Sequence, residues 1–229
     1  MGTALRIISS MATRQVLADL VALYRRGSPQ DVAVESVGGV DAAKRVQAGE
    51  AFDGVVLAAS AIDQLIQTGR IIAGSRVDLV KSGVAIAVRA GVAQPDVASE
   101  EAVKRAVLAA RSVSYSTGPS GVHLAQVFER WGIMDAIKSR IVQAPPGVPV
   151  GSLVARGEVE LGFQQLSELM NLSGIAVLGP LPSEIQIITT FSAAVSVTST
   201  RRDALGLLLE FMASPAADAA KRANGMEPA

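Results

Sequence analysis

The 229-residue sequence predicts an α/β protein of two lobes, each a mostly parallel β-sheet flanked by helices, with a hinge between them. Hydrophobic residues make up 49% of the chain and aromatic residues only 3%, so the core must consist of small aliphatic side chains. Such a core is typical of buried parallel strands covered by helices. Strand and helix patterns alternate with short connections, which favours parallel pairing with right-handed crossovers. Two long extended segments interrupt the alternation and indicate that the chain crosses between lobes.

The first third of the chain predicts three β-α pairs. The predicted strands are Leu5–Ser9, Val32–Val37 and Asp53–Ala58. The predicted helices are Thr13–Arg26, Asp41–Ala48 and Ala61–Thr68. Glycine follows each of these helices, as is common at helix C-termini.

A second β-α series begins after an apolar strand at Val84–Val88. The next helix, Ser99–Ala110, starts at a serine followed by two glutamates, which is a typical N-cap pattern. The remaining predicted elements are a strand at Ser112–Ser116, a helix at Ser120–Trp131, a Pro-rich loop at Ala144–Pro149, a helix at Val150–Ala155, strands at Val159–Phe163 and Ile175–Leu178, an extended segment at Ile185–Val197, and helices at Asp203–Met212 and Ala216–Ala223.

The predicted crossings lie near Val84–Ala90 and Gln186–Val197. They divide the chain into a discontinuous lobe of residues 1–84 plus 190–229 and a second lobe of residues 85–189. We expect the C-terminal helices to return to the first lobe.

Composition excludes several classes of function. Lys plus Arg and Asp plus Glu both number 21, so no overall field attracts nucleic acid or an anionic membrane. Few aromatic side chains are available to stack on bases. No apolar run approaches the roughly 20 residues that span a bilayer, so direct membrane insertion is not expected. The absence of cysteine excludes disulfides, thiolate metal sites and a Cys nucleophile.

The chain begins almost directly on a strand, which leaves no room for a secretory signal before the fold. Either a signal has been removed and the protein is periplasmic, or the protein stays in the cytoplasm.

Candidate binding residues follow the carboxyl ends of the predicted strands, where ligands of open parallel sheets bind. These loops are Ser9–Thr13, Val37–Gly39, Ala58–Ser60, Ser116–Gly121 and Gln164-Gln165. They combine hydroxyls with glycines that expose backbone N–H groups, and such groups bind oxyanions without a formal positive charge. The alternative is that the serines and threonines only cap helices.

Catalytic and metal-binding patterns are missing. The single histidine, His123, has no partner at a metal-binding spacing, and we interpret it as a packed or surface residue rather than a pocket residue. No G-x-S-x-G motif is present. Asp53 stands at a strand start, away from the carboxyl ends, and Arg201-Arg202 is interpreted as a solvated face. No catalytic residue, metal or cofactor is predicted.

Six segments in order carry a family resemblance: Ile8–Ala12, Val46–Asp53, Gly118–Gly121, Trp131–Asp135, Arg156–Gly162 and Ser214–Ala217. Together they resemble the type II periplasmic binding proteins, and more closely the molybdate-binding component of ABC transporters. Members of that family hold a tetrahedral oxyanion between two closing lobes, with hydroxyls and backbone N–H groups.

The resemblance and the strand-end loops together give the predicted ligand-binding residues Ser9, Ser10, Met11, Gly38, Gly39, Ser60, Thr117, Ser120, Gly121, Val148 and Gln165. Two of these positions depart from the family. The family has a serine where this chain has Gly38-Gly39, and a tyrosine where it has Gln165. Losing a donor to a desolvated anion costs about 1–3 kcal/mol. We therefore expect weak molybdate binding and favour a small organic carboxylate.

The predicted function is capture of a small anion between the lobes for an ABC-type transporter, by hinge closure. The first alternative is a cytoplasmic small-molecule sensor, which resembles the effector half of LysR-type regulators but lacks their helix-turn-helix. The second alternative is an enzyme such as an isomerase or hydrolase, which is less favoured because no acid–base pair stands out.

Overall fold

The structure is a computed structural model that describes residues 4–144 and 147–229. Positions 145 and 146 of the predicted Pro-rich loop, and positions 1–3 of the predicted first lobe, lie outside the described residues. The strands of the described chain are β1 (Leu5–Ser10), β2 (Val32–Val37), β3 (Gly54–Ala58), β4 (Val77–Arg89), β5 (Val113–Tyr115), β6 (Leu161–Gln165), β7 (Ile175–Pro180), β8 (Ile188–Val195) and β9 (Glu227–Pro228).

Its α-helices are α1 (Arg14–Tyr24), α2 (Gly39–Gln47), α3 (Ala59–Gln67), α4 (Glu100–Ala109), α5 (Pro119–Arg130), α6 (Met134–Ile137), α7 (Val150–Ala155), α8 (Leu166–Leu169), α9 (Arg202–Ala213) and α10 (Asp218–Ala223). Short 3-10 turns occupy Met11–Thr13, Lys138–Arg140 and Pro215–Ala217. The predicted serine cap is present, because Ser99 accepts a hydrogen bond from the backbone N–H of Ala102 at 3.2 Å. The predicted α/β class is confirmed.

The chain divides into two compact units. Unit 1 comprises Met1–Ser82 and Thr189–Ala229, and unit 2 comprises Gly83–Ile188. That residues 1–84 plus 190–229 and residues 85–189 are separate lobes that move about a hinge stays a prediction.

Parallel pairing of β1 with both β2 and β3 organises unit 1. Ser10 of β1 is in register with Val37 of β2, and Ser9 is in register with Val56 of β3. Strand β8 pairs antiparallel with β3, and β9 pairs antiparallel with the first part of β4. Because parallel strands end at one edge of a sheet, the loops after β1, β2 and β3 share that edge.

Strand β1 is buried on both faces from Ile7 onward, whereas Arg6 near its start is exposed. Successive side chains of a strand point to opposite faces. Ile7 packs in a cluster with Leu17 of α1, while Ile8 packs in a second cluster with Ile62 of α3. Both isoleucines are fully buried. Each contributes about 1.5–3 kcal/mol by burial, so helices on both sides hold β1 in place.

Unit 2 has a more mixed sheet than the sequence predicted. Strands β5 and β6 are parallel, whereas β4 pairs antiparallel with both β6 and β7. Phe128 of α5 lies at the centre of the core, with ring centroids 5.8 Å from Tyr115, 5.7 Å from Trp131 and 6.0 Å from Phe163. Half of the eight aromatic residues of the chain therefore fix α5 against β5 and β6.

Strand β6 begins two residues later than predicted, because the predicted first residues hold other contacts. The backbone N–H of Glu160 donates to Ser112 Oγ at 2.9 Å, and its carboxylate accepts from the backbone N–H of Arg111 at 2.8 Å. The parallel ladder starts at the next residue, where Leu161 pairs with Val113. Strand β6 extends through Gln165, two residues beyond its predicted end, because Gln164 and Gln165 pair with β4.

The interpretation of Arg201 as a solvated residue is wrong. Its guanidinium forms an ion pair with Asp53, whose side chain is only 12% exposed, and also donates to the carbonyl of Ala4. Asp53 further accepts hydrogen bonds from the backbone N–H of Arg6 at 2.9 Å and from Ser199 Oγ at 2.8 Å. Asp53 thus ties the starts of β1 and β3 to the segment before α9. Burial raises the pKa of Asp53, but these hydrogen bonds outweigh burial and leave the pKa below its usual value.

Substitution of Asp53 by asparagine should destabilise the protein by about 2 kcal/mol at pH 7, because Arg201 then loses its ion pair with this carboxylate. The folded-state pKa of Asp53 lies below its unfolded value of about 3.9, so its stabilisation is present above that value and is lost as the pH falls through the folded pKa. Urea unfolding of both proteins at pH 7 and in acid measures this difference, which should shrink in acid. The control is Asp135→Asn, at a carboxylate that is 96% exposed. Equal stability of the Asp53→Asn variant and the parent at pH 7 would contradict the assignment.

Candidate functional site

The carboxyl end of β1 places two serines in different environments. Ser9 is fully buried and its Oγ lies 2.7 Å from Ser36 Oγ, so this hydroxyl links β1 to β2. Ser10 is 6% exposed, and its buried Oγ has no hydrogen-bond partner among the described residues. The side chain of Ser10 does not cap the 3-10 turn that follows it. The helix-capping alternative therefore does not apply to Ser10, and its hydroxyl can serve a ligand.

Helix α2 begins beside Ser10. A Cβ on Gly39 would lie 3.5 Å from Ser10 Cβ, so the helix start packs closely on the strand end. No side chain caps this nine-residue helix, and its first backbone N–H groups have no acceptor within it. Asp41 lies in the first turn, and its Oδ2 is 3.3 Å from the position of a Cβ on Gly38. Its negative charge interacts favourably with the positive end of the helix dipole. The arrangement offers amides and one hydroxyl at a single edge of unit 1.

The other predicted residues of unit 1 are more peripheral. Met11 is partly buried in the 3-10 turn after β1, and Ser60 is exposed in the first turn of α3. The structure brings Ser10, Gly38 and Gly39 together, with Met11 directly following Ser10.

In unit 2, the loop after β5 brings two hydroxyls together. Ser116 Oγ and Ser120 Oγ are 3.0 Å apart, and Ser120 is buried in the first turn of α5. Gly121 packs directly against the backbone that precedes α5. A Cβ at this position would be 1.6 Å from the carbonyl oxygen of Ser116. Thr117 is exposed. The N-terminus of α5 is therefore held against Ser116 by a contact that only glycine allows.

The end of β6 carries a second polar cluster in unit 2. Gln165 is the last residue of β6 and is 4% exposed, and Val148 is partly buried in the loop before α7. The side chain of Gln164 accepts a hydrogen bond from the backbone N–H of Gly151 at 3.0 Å and donates to Glu168 Oε2 at 2.7 Å. The structure thus places Gln164 and Glu168 beside the start of α7.

Sequence reasoning missed Glu168. It stands on the one-turn helix α8, which is too short to produce a helical pattern. No local pattern could have signalled it, because its partner Gln164 lies on strand β6 and the two residues do not share a helix. Burial raises the pKa of Glu168 to about 7, and the hydrogen bond from Gln164 only partly offsets this. Glu168 therefore exists in both its protonated and its ionised form near neutral pH.

Two other features contribute nothing to these clusters. His123 is exposed on α5. A groove of about 700 Å³ in unit 2, lined in part by Arg89, Pro95 and Arg111, lies at the amino ends of β5 and β6, away from the loops above. Across residues 4–144 and 147–229, no group of three or more His, Asp or Glu side chains could hold a metal ion. In the same ranges, no helix has the length and apolar character to cross a membrane.

Solved structures define the class of fold. The periplasmic molybdate-binding protein of Azotobacter vinelandii is 20% identical, with a TM-score of 0.79 over 97% of this chain and 98% of that chain. The sulfate-binding protein of Mycobacterium tuberculosis is 15% identical, with a TM-score of 0.80 over 99% of this chain and 87% of that chain. The fold is that of the periplasmic binding proteins, and the predicted type II, molybdate-like class is confirmed.

Residues 5–227 match the family described as bacterial extracellular solute-binding protein, and the chain belongs to that family. A curated relative, the aconitate isomerase of a Pseudomonas species, is 36% identical over 234 residues, covering 99% of this chain and 88% of that protein. The predicted solute-binding class is confirmed, and the relative adds a named enzyme that acts on an organic acid.

Replacing Gly121 with alanine should displace α5 from Ser116, because the new methyl would overlap a backbone oxygen. We expect a loss of about 1–3 kcal/mol of folding stability, as for other overpacked sites. Gly118→Ala is the matched control, since a Cβ at Gly118 meets only Ser116 Oγ, at 4.0 Å. Thermal and urea unfolding compare the two variants. Unchanged stability of Gly121→Ala would show that the loop after β5 yields easily.

Proposed function

We propose that this solute-binding protein captures a small polycarboxylate of the aconitate class. The observation that carries the proposal is the unpartnered, buried hydroxyl of Ser10 beside the uncapped start of α2. Hydroxyls and amides at a helix N-terminus bind carboxylates well without a fixed cation. The loop after β5 supplies a second set of the same groups, with Ser116 and Ser120.

The relative supports an organic acid over molybdate. Aconitate is the compound in the name of the Pseudomonas enzyme, which matches almost the whole chain. The molybdate- and sulfate-binding structures are 20% identical or less and support the fold alone. Gly38-Gly39 and Gln165 replace two hydroxyl donors of the molybdate-type family with a bare backbone and a planar amide, which suit a larger, planar anion.

A second candidate function is isomerisation of the bound acid. The sequence favours binding without catalysis, and membership of a solute-binding family agrees with that interpretation. The 36% identity with an aconitate isomerase favours the enzyme. Glu168 adds a carboxyl group able to give or take a proton at neutral pH.

The cellular setting follows from the family. Extracellular solute-binding proteins of this fold imply a periplasmic location, and delivery to an ABC permease belongs to our proposal. We also retain as a proposal that one anion contacts both units and that the units close on it.

Isothermal titration with trans-aconitate, citrate and molybdate tests the binding proposal. We expect tight binding of a polycarboxylate and weak or no binding of molybdate. Ser10→Ala and Ser120→Ala should each weaken the same carboxylate about ten-fold, equivalent to about 1.4 kcal/mol. Ser183→Ala, at an exposed serine of unit 2, is the control. Tight molybdate binding would overturn the ligand class, and an effect of only one variant would overturn contact with both units.

Prolonged incubation with trans-aconitate, followed by proton NMR, tests the second candidate. The isomerase proposal predicts conversion to cis-aconitate until the two isomers reach a constant ratio. The same ratio should be reached when the incubation starts from cis-aconitate. If the spectrum stays unchanged with a saturating amount of protein, the isomerase candidate is wrong and only the binding function stands.

A further inference from the structure

Glu168 is held in one orientation by two successive hydrogen bonds, from the backbone N–H of Gly151 to Gln164 and from Gln164 to Glu168. We call this pair of hydrogen bonds the relay. Gln164, which is 4% exposed, has its amide fixed at both ends, by Gly151 N–H on one side and by Glu168 Oε2 on the other. A side chain fixed in this way cannot rotate without losing a buried hydrogen bond. The second oxygen, Glu168 Oε1, is left free, because Gln164 is the only residue that bonds to Glu168 within the described chain.

No charged group balances Glu168. It forms no ion pair within residues 4–144 and 147–229, and no neighbouring charge contributes to its pKa. Burial is the largest influence on the carboxyl and is opposed only in part by the hydrogen bond from Gln164, so the pKa is raised to about 7 and the protonation of Glu168 changes near neutral pH. Glu168 also lies three residues after Gln165, at the strand end where the ligand is predicted.

We propose that Glu168 is the group that moves the proton in an allylic isomerisation of the bound polycarboxylate. This inference rests on the second candidate function. Glu168 Oε1 takes a proton from the methylene carbon of the substrate. The C–H electron pair forms a new double bond to the central carbon, while the old double bond delivers its pair to the far carbon. Glu168 then returns the proton to that far carbon, so the acid is isomerised and the carboxylate is regenerated without an oxidant or cofactor.

The electron pair passes through a delocalised anion flanked by the substrate carboxylates. The hydroxyls of Ser116 and Ser120, which lie in the same unit as Glu168, are of the type that stabilises such charge. The task of the relay is to keep the Glu168 carboxyl in one orientation while its proton moves. A purely structural Glu168 would need only an oxygen that accepts from Gln164.

The Glu168→Gln variant separates these roles, because it keeps the size and the acceptor oxygen and removes the proton carrier. In D₂O with trans-aconitate, NMR follows both cis-aconitate formation and deuterium entry at carbon. We expect both rates to fall at least 100-fold, the usual contribution of a general acid–base. The affinity for trans-aconitate, measured by titration, should stay within about three-fold, since Gln and Glu fill the same space.

Two further variants complete the experiment. Glu168→Asp keeps a carboxylate and should exceed the Glu168→Gln rate at least ten-fold. Glu129→Gln removes an exposed carboxylate near the far end of α5 and should match the wild type. Equal rates for the wild type and Glu168→Gln, or for Glu168→Gln and Glu168→Asp, would overturn the role of Glu168.

The wild-type result separates this inference from the proposed functions. If the wild type binds trans-aconitate but neither converts nor deuterates it, the isomerase candidate and the role of Glu168 both fail, and polycarboxylate binding stands. If the wild type is active and Glu168→Gln is equally active, only the role of Glu168 fails.

Discussion

Parallel pairing of β1 between β2 and β3 is the constraint on which unit 1 depends. It places the carboxyl ends of three strands at one edge of the sheet. Polar backbone groups therefore lie close together there, although the chain has no net charge. Burial of β1 on both faces makes this position rigid, so Ser10 is held against the start of α2. The polar backbone groups at this edge thus follow from sheet topology, and the anion that we propose to bind there would not require a positively charged side chain.

Unit 2 reaches a similar chemistry through different contacts. An aromatic cluster around Phe128 sets the position of α5, and the absence of a side chain at Gly121 lets the helix rest on the Ser116 carbonyl. Beside it, Gln164 joins the start of α7 to Glu168. The contact of α5 with Ser116 brings hydroxyls together. The hydrogen bonds of Gln164 position a carboxyl whose protonation changes near neutral pH. Binding and proton transfer would then rest on separate parts of one sheet.

The sequence was most informative where local pattern and packing agree. Strand β2 and helix α7 have their predicted bounds, because apolar runs and adjacent turn residues mark both. Sequence patterns did not predict features that depend on contacts between residues distant in the sequence. Asp53 and Arg201 are 148 residues apart, so no local signal announces their ion pair. Glu168 stands on a single helical turn, and its raised pKa comes from burial that only the folded chain creates.

The discontinuity of unit 1 has a consequence for biosynthesis. Strand β3 has β8 as its antiparallel neighbour, and the Asp53 carboxylate needs a cation that the ribosome adds 148 residues later. At typical translation speeds of about 5–20 residues per second, that delay is roughly 7–30 s. Unit 2 is one continuous stretch and can fold within this interval. The nascent N-terminal segment meanwhile exposes an unpaired strand edge, the kind of surface that chaperones protect.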